Sequence, residues 1–180
     1  GFFAQSKQAL VWRGPMATKA LNQLIWDAHW GDLDYLLVDL PPGTGDIHLS
    51  LVQSIPVTGA IVISTPQPIS VADARKGINM FQMDSINVPV VGLIENMSYF
   101  EDDSKIKYHI FGKDGGKDLS KKLDVPFIGA IPLLEDITVS SEGSNLFAFK
   151  ENPEFENIIS IANEILKFQP KKKPIDLKIN

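Results

Sequence analysis

Asp39 closes the apolar run Leu33-Asp-Tyr-Leu-Leu-Val, and the turn Leu-Pro-Pro-Gly43-Thr-Gly-Asp46 follows at once. A carboxylate at the end of such a run can order magnesium, and glycines let backbone approach a phosphate closely. Two prolines stiffen the turn, so little entropy is lost when it closes on a ligand. Gly43 and Gly45 allow amides to face an oxyanion. A lone aspartate at a strand end equally suits a helix cap or a turn; the prolines and glycines after it favour the phosphate chemistry. Asp46 reads as the cap of a short helix from Ile47 to Ser54.

Asn96, in Gly92-Leu-Ile-Glu-Asn96-Met-Ser, is the second candidate. It follows another apolar run, on the same sheet edge as Asp39 in this reading. Its amide can donate and accept, and so pair with the N6/N7 edge of adenine. Unaided, an asparagine there more often makes a local Asx turn. His29, His48 and His109 lie far apart without ligand spacing and read as surface or packing residues. Ser50 and Ser64 lack the Gly-x-Ser-x-Gly setting of a hydrolase nucleophile. Gly112-Lys-Asp-Gly-Gly-Lys117-Asp118 resembles a phosphate loop superficially, but its spacing is wrong and Asp118 stands where Ser or Thr should hold magnesium. Arg13 reads as solvated.

Elements must position these groups. Four short runs rich in Val, Ile and Leu recur, Leu33 to Leu40, Gly59 to Thr65, Val88 to Ile94 and Val125 to Ile131. Each reads as a buried parallel strand. Helical spacing lies between them: Ala17, Ala20, Leu21, Leu24, Ile25 and Ala28 share one face over Pro15 to Trp30, and Val71, Ala74, Ile78 and Phe81 share another over Ile69 to Met83. A last helix has Asn152 as cap, Pro153 in its first turn and a stripe of Phe155, Ile158, Ile159, Ala162, Ile165 and Leu166. The alternation predicts an α/β fold, a mostly parallel sheet with flanking helices. Tyr99 to Gly116 reads as an inserted β excursion, with a half-exposed strand from Lys105 to Phe111. Gln169 to Asn180 reads as an exposed tail, and residues 1–168 as part of a single domain.

With 180 residues, 44% apolar and 22% charged, the chain suits one globular domain with a sizeable core. No apolar run approaches the roughly 20 residues that span a bilayer. A net charge of −5 argues against nucleic acid as the main partner. Without cysteine there is no disulfide, thiol nucleophile or thiolate ligand within these residues. The expected location is the cytoplasm.

Together these segments resemble the Mrp (ApbC-like) iron–sulfur cluster carrier family, relatives of MinD among the P-loop nucleotide hydrolases. The matching pieces run in family order from about residue 10 to 145: Val11-Trp-Arg-Gly-Pro-Met16, Trp30 to Asp46, Ser64-Thr-Pro-Gln67, Asp73-Ala-Arg-Lys76, Glu95-Asn-Met-Ser98 and Gly129-Ala-Ile-Pro-Leu133. The resemblance implies a homodimer that binds ATP and Mg2+ and delivers an iron–sulfur cluster to client proteins. It implies that Asp39, the Walker B aspartate, holds magnesium through water, that Gly43 senses the terminal phosphate, and that Asn96 and Pro132 lie at the adenine.

Two departures accompany it. The family's lysine-rich phosphate loop and first switch precede the matching segments, and neither is among these 180 residues. The chain therefore reads as the C-terminal portion of a P-loop domain, incomplete at its N-terminus and inactive alone. The family also usually carries Cys-x-x-Cys soon after the Glu-Asn-Met-Ser element, where this sequence has Glu101-Asp-Asp-Ser-Lys105. Carboxylates replace thiolates poorly at a cluster. Alternative readings are a MinD-like ATPase switch without a cluster and a non-catalytic interaction module that retains the fold.

Overall fold

The computed structural model describes residues 14–41, 43–134 and 155–168, and its contacts divide the chain into two compact units. The first unit, centred on residues 1–56, contains two described helices, α1 (Gly14–Trp26) and α2 (Asp46–Ser54), packed on each other. Ile25 and Leu51 are its buried apolar residues, and the Trp30 indole N–H donates to Ile25 O at 2.8 Å. Leu24 is exposed, and Ala28 lies beyond the helix.

The second unit, residues 57–172, holds the sheet. Strands β1 (Ala60–Ser64) and β2 (Val90–Glu95) arise where β-branched residues run between proline and glycine breaks. Helix α3 (Pro68–Gln82) connects them; Pro68 at its start already has the required φ, and Ala74, Ile78 and Phe81 are buried as their spacing predicts. A hairpin follows, β3 (Phe100–Glu101) against β4 (Lys107–Tyr108), pairing Phe100 with Tyr108 and Glu101 with Lys107. Next come α4 (Gly115–Leu123), β5 (Phe127–Ala130) and α5 (Glu156–Leu166). The three long strands are parallel in the order β1-β2-β5, so the α/β expectation holds. The central strand carries the core: Leu93 is fully buried and Ile94 nearly so, with Ile78 and Leu119 beside them.

Several expectations are corrected. Leu33 to Leu40 forms no strand, and Tyr35 and Leu37 are 65% and 84% exposed. An apolar run favours burial, but a strand also needs ladder partners, and the first unit's described elements are both helices. Asp39 therefore ends no strand of the sheet that carries Asn96. Within the excursion only Lys107 and Tyr108 form the later strand, and both are exposed. Gly45, rather than Asp46, occupies the cap position of α2, with Asp46 already helical. Helix α5 buries Phe155 and Ile161, while Ile159, Ala162 and Leu166 of the expected stripe are exposed. Its face turns on Ile161 because β5 offers a narrow surface there: a Cβ on Gly129 would come within 2.7 Å of Ile161. Arg13, the Asn152 and Pro153 start signals and the tail from Gln169 lie outside the described residues.

Candidate functional site

Asp39, Pro41, Gly43 and Gly45 are exposed, and the Asp39 carboxylate has no hydrogen bond or ion pair among the described residues. Gly43 has a φ of +103°, a conformation that L side chains rarely adopt, and a Cβ there would meet nothing within 4 Å. The residue type is therefore required by the backbone angle and leaves its amide approachable. The donor set suits magnesium, which takes one or two carboxylates and keeps several waters. It does not suit a dedicated protein-only metal site, since no group of three His, Cys, Asp or Glu side chains is placed to hold an ion among the described residues.

His48, read in the sequence as a packing residue, is joined to this turn. It is 6% exposed, and Nε2 lies 2.9 Å from Pro41 O. A carbonyl oxygen only accepts, so that geometry assigns the proton to Nε2. Among the described residues Nδ1 is then a buried acceptor without a partner, at a cost of about 1–3 kcal/mol.

In the second unit the sheet ends deliver Asn96 and Pro132. The Asn96 backbone N–H donates to Ser64 O at 2.8 Å, while its side-chain Oδ1 accepts from the Met97 backbone N–H at 2.9 Å. Met97 has a φ of +53°, so this local side-chain bond helps hold a tight turn, much as an Asx turn would. Pro132 is buried in the segment after β5, and its neighbours tie that segment to the turn: Ser98 N donates to Ile131 O and Leu133 N to Tyr99 O. Asn96 and Pro132 are thus brought onto one hydrogen-bonded framework. Asp39 and Gly43 belong to the first unit.

Sequence reasoning missed Glu95. It is 1% exposed, yet its Oε1 accepts from Ser98 Oγ at 2.5 Å and its Oε2 from the Gly116 amide at 2.6 Å. The acid sits at the N-terminus of α4, where the dipole favours negative charge. The signal was the glycine pair: a Cβ on Gly116 would lie 2.8 Å from Leu93 Cδ2, and one on Gly115 would collide with Pro66 O. The helix start that resembles a phosphate loop is therefore filled by the protein's own carboxylate. His109 Nδ1 contacts Ser98 O at 3.1 Å, which joins the hairpin to the same turn.

The hairpin occupies the Glu101-to-Lys105 position, and Glu101 and Asp102 are engaged within it. Glu101 pairs with Lys105 and Lys107, and Lys107 lies 4.1 Å over the Tyr99 ring. Asp102 Oδ1 accepts from the Ser104 and Ile106 amides, both at 2.9 Å, and Oδ2 accepts from Tyr108 Oη. The Ile106 amide bond, helped by those of Tyr108 and Ser104, holds the Asp102 carboxyl below its ordinary range against an opposing desolvation.

A parallel sheet with flanking helices and an aspartate leading into a rigid glycine turn define a MinD-like P-loop nucleotide hydrolase fold. Solved structures agree. A nucleotide-binding protein from Archaeoglobus fulgidus, in complex with ADP, superposes with a TM-score of 0.65 at 33% identity, over 77% of this chain and 56% of that one. The cell division ATPase MinD of Pyrococcus furiosus gives 0.57 at 18% identity, over 86% and 59%, a likeness of fold. The chain belongs to the ParA family described as NUBPL iron-transfer P-loop NTPase, whose model matches residues 1–166. It is 43% identical over 170 residues to the iron–sulfur cluster transfer protein NUBPL of Mus musculus, covering 93% of this chain and 53% of that protein. The chain thus spans about half the length of that curated relative. No described helix is long and apolar enough to cross a membrane.

Proposed function

We propose that this chain serves the magnesium side and the base side of the nucleotide site in an ATP-binding iron–sulfur cluster carrier. The observation that carries the reading is the exposed Asp39 carboxylate, which has no partner among the described residues, with Gly43 at a φ of +103° in the turn that follows. Asp39 would hold magnesium through water, and the Gly43 amide would meet the terminal phosphate. Bound magnesium would neutralise charge on the phosphates. Asn96 and Pro132 would lie at the adenine, on the framework that Glu95 and Ser98 stiffen. The relative solved with ADP supports the nucleotide, and the relatives' names support the cluster as cargo for a client protein. The protein would act as a homodimer in the cytoplasm.

The phosphates would be gripped by loop amides and a lysine that these 180 residues do not contain, so this segment alone hydrolyses no ATP. Thiolates for the cluster would likewise come from outside these residues. The test is Asp39→Ala in the full-length protein. Magnesium-dependent ATP turnover should fall about 100-fold or more, with the melting temperature unchanged because the side chain is exposed. Unchanged turnover rejects the magnesium role, and loss of soluble protein assigns Asp39 to the fold instead.

A further inference from the structure

We propose that His48 is a positioning residue that clamps both ends of the phosphate-facing turn. The inference rests on the role proposed above for Asp39 and Gly43. One residue reaches the turn twice. The His48 backbone N–H donates to Gly45 O at 3.0 Å, and its Nε2–H donates to Pro41 O at 2.9 Å. Gly43 and Thr44 lie between those two anchors. Among the described residues no side chain packs where a Cβ on Gly43 would point, since it would meet nothing within 4 Å. The turn's shape at Gly43 is thus held from its flanks, by α2, rather than from beneath.

The ring is an expensive choice for mere filling. The side chain is buried, and its Nδ1 has no partner in the described residues. An apolar side chain of similar size would fill the same volume without stranding a nitrogen. What the imidazole adds is the bond to Pro41 O. That bond fixes the turn before the nucleotide arrives, so its amides need not be ordered during the reaction. His48 touches no substrate atom in this scheme; it acts through the turn.

The full-length protein carrying His48→Leu, His48→Met or His48→Gln tests this. Leu and Met keep the volume and lose the donor, while Gln keeps an amide donor at similar reach. The expected result is a kcat about tenfold lower in the Leu and Met variants, equivalent to about 1.4 kcal/mol, with KM for ATP within about twofold. Gln should recover kcat to within about threefold of the parent. Hydrogen exchange at the Gly43 and Thr44 amides of nucleotide-free protein should quicken about tenfold in Leu and Met and stay near the parent rate in Gln. Parental kcat in the Leu or Met variant overturns the proposal, as does Gln falling as far as Leu. If Leu does not fold, the Met and Gln pair decides. Should the parent show no ATP turnover, the functional reading fails, and equal exchange in all proteins would then separately overturn the clamp.

Discussion

Glu95 has both carboxylate oxygens engaged at 1% exposure, one by the Ser98 hydroxyl and one by the Gly116 amide. Glu95→Ala would leave two buried donors unpaired beside a void. It should lower stability by about 3 kcal/mol, read from a chemical denaturation curve, with Glu95→Gln losing about half as much. A loss under about 1 kcal/mol for the alanine variant would show that the network carries little. Asp39 and Glu95 differ in how far they could be seen in the sequence. The chemistry of Asp39 is local, because its prolines and glycines are its immediate neighbours. Glu95 gains its role from Gly116, 21 positions away, and only the unexplained glycine pair hinted at a close approach. His48 was hidden for the opposite reason. Its partner is 7 residues off, but a histidine without ligand spacing gives no sign of bonding to a backbone carbonyl.

Elements with their own partners were legible. The runs that became β1, β2 and β5 pair with one another, and α3 buries the face its spacing marked. The Leu33–Leu40 run has the same composition but no ladder partner among the described residues of its unit, and periodicity carries no information about partners. Helix α5 shows a smaller error of the same kind, since neighbouring aliphatic stripes compete and β5 selects the one through Ile161. The hairpin tip is held by Asp102, whose folded carboxyl titrates below its ordinary value of about 3.9. A depressed folded value stabilises the hairpin above the unfolded value and ceases to do so as pH falls through the folded one. The Ser104 and Ile106 amide resonances should therefore shift with a midpoint below about 3.9, and Asp102→Asn should abolish that titration. A midpoint at or above the ordinary value would contradict the bonding assigned to the tip.

At the scale of the whole molecule, composition pointed to a globular chain and the alternation of strand and helix signals to an α/β fold, with which the parallel sheet agrees. Two compact units were not legible, because the boundary near Pro56 has no linker composition. The same scale bears on the cargo. With no cysteine and three scattered histidines, the 180-residue chain should remain colourless after reconstitution with iron and sulfide. Visible cluster absorbance with stoichiometric iron after desalting would require a carboxylate and histidine site. The proposed function implies a division of labour: this segment would offer magnesium and base contacts, and loop amides and a lysine outside these 180 residues would grip the phosphates. Calorimetric titration of magnesium and ATP into the 180-residue chain and into the full-length protein separates the two contributions. Saturable binding by the full-length protein and none by the segment is the expected result, whereas micromolar binding by the segment alone would overturn the division.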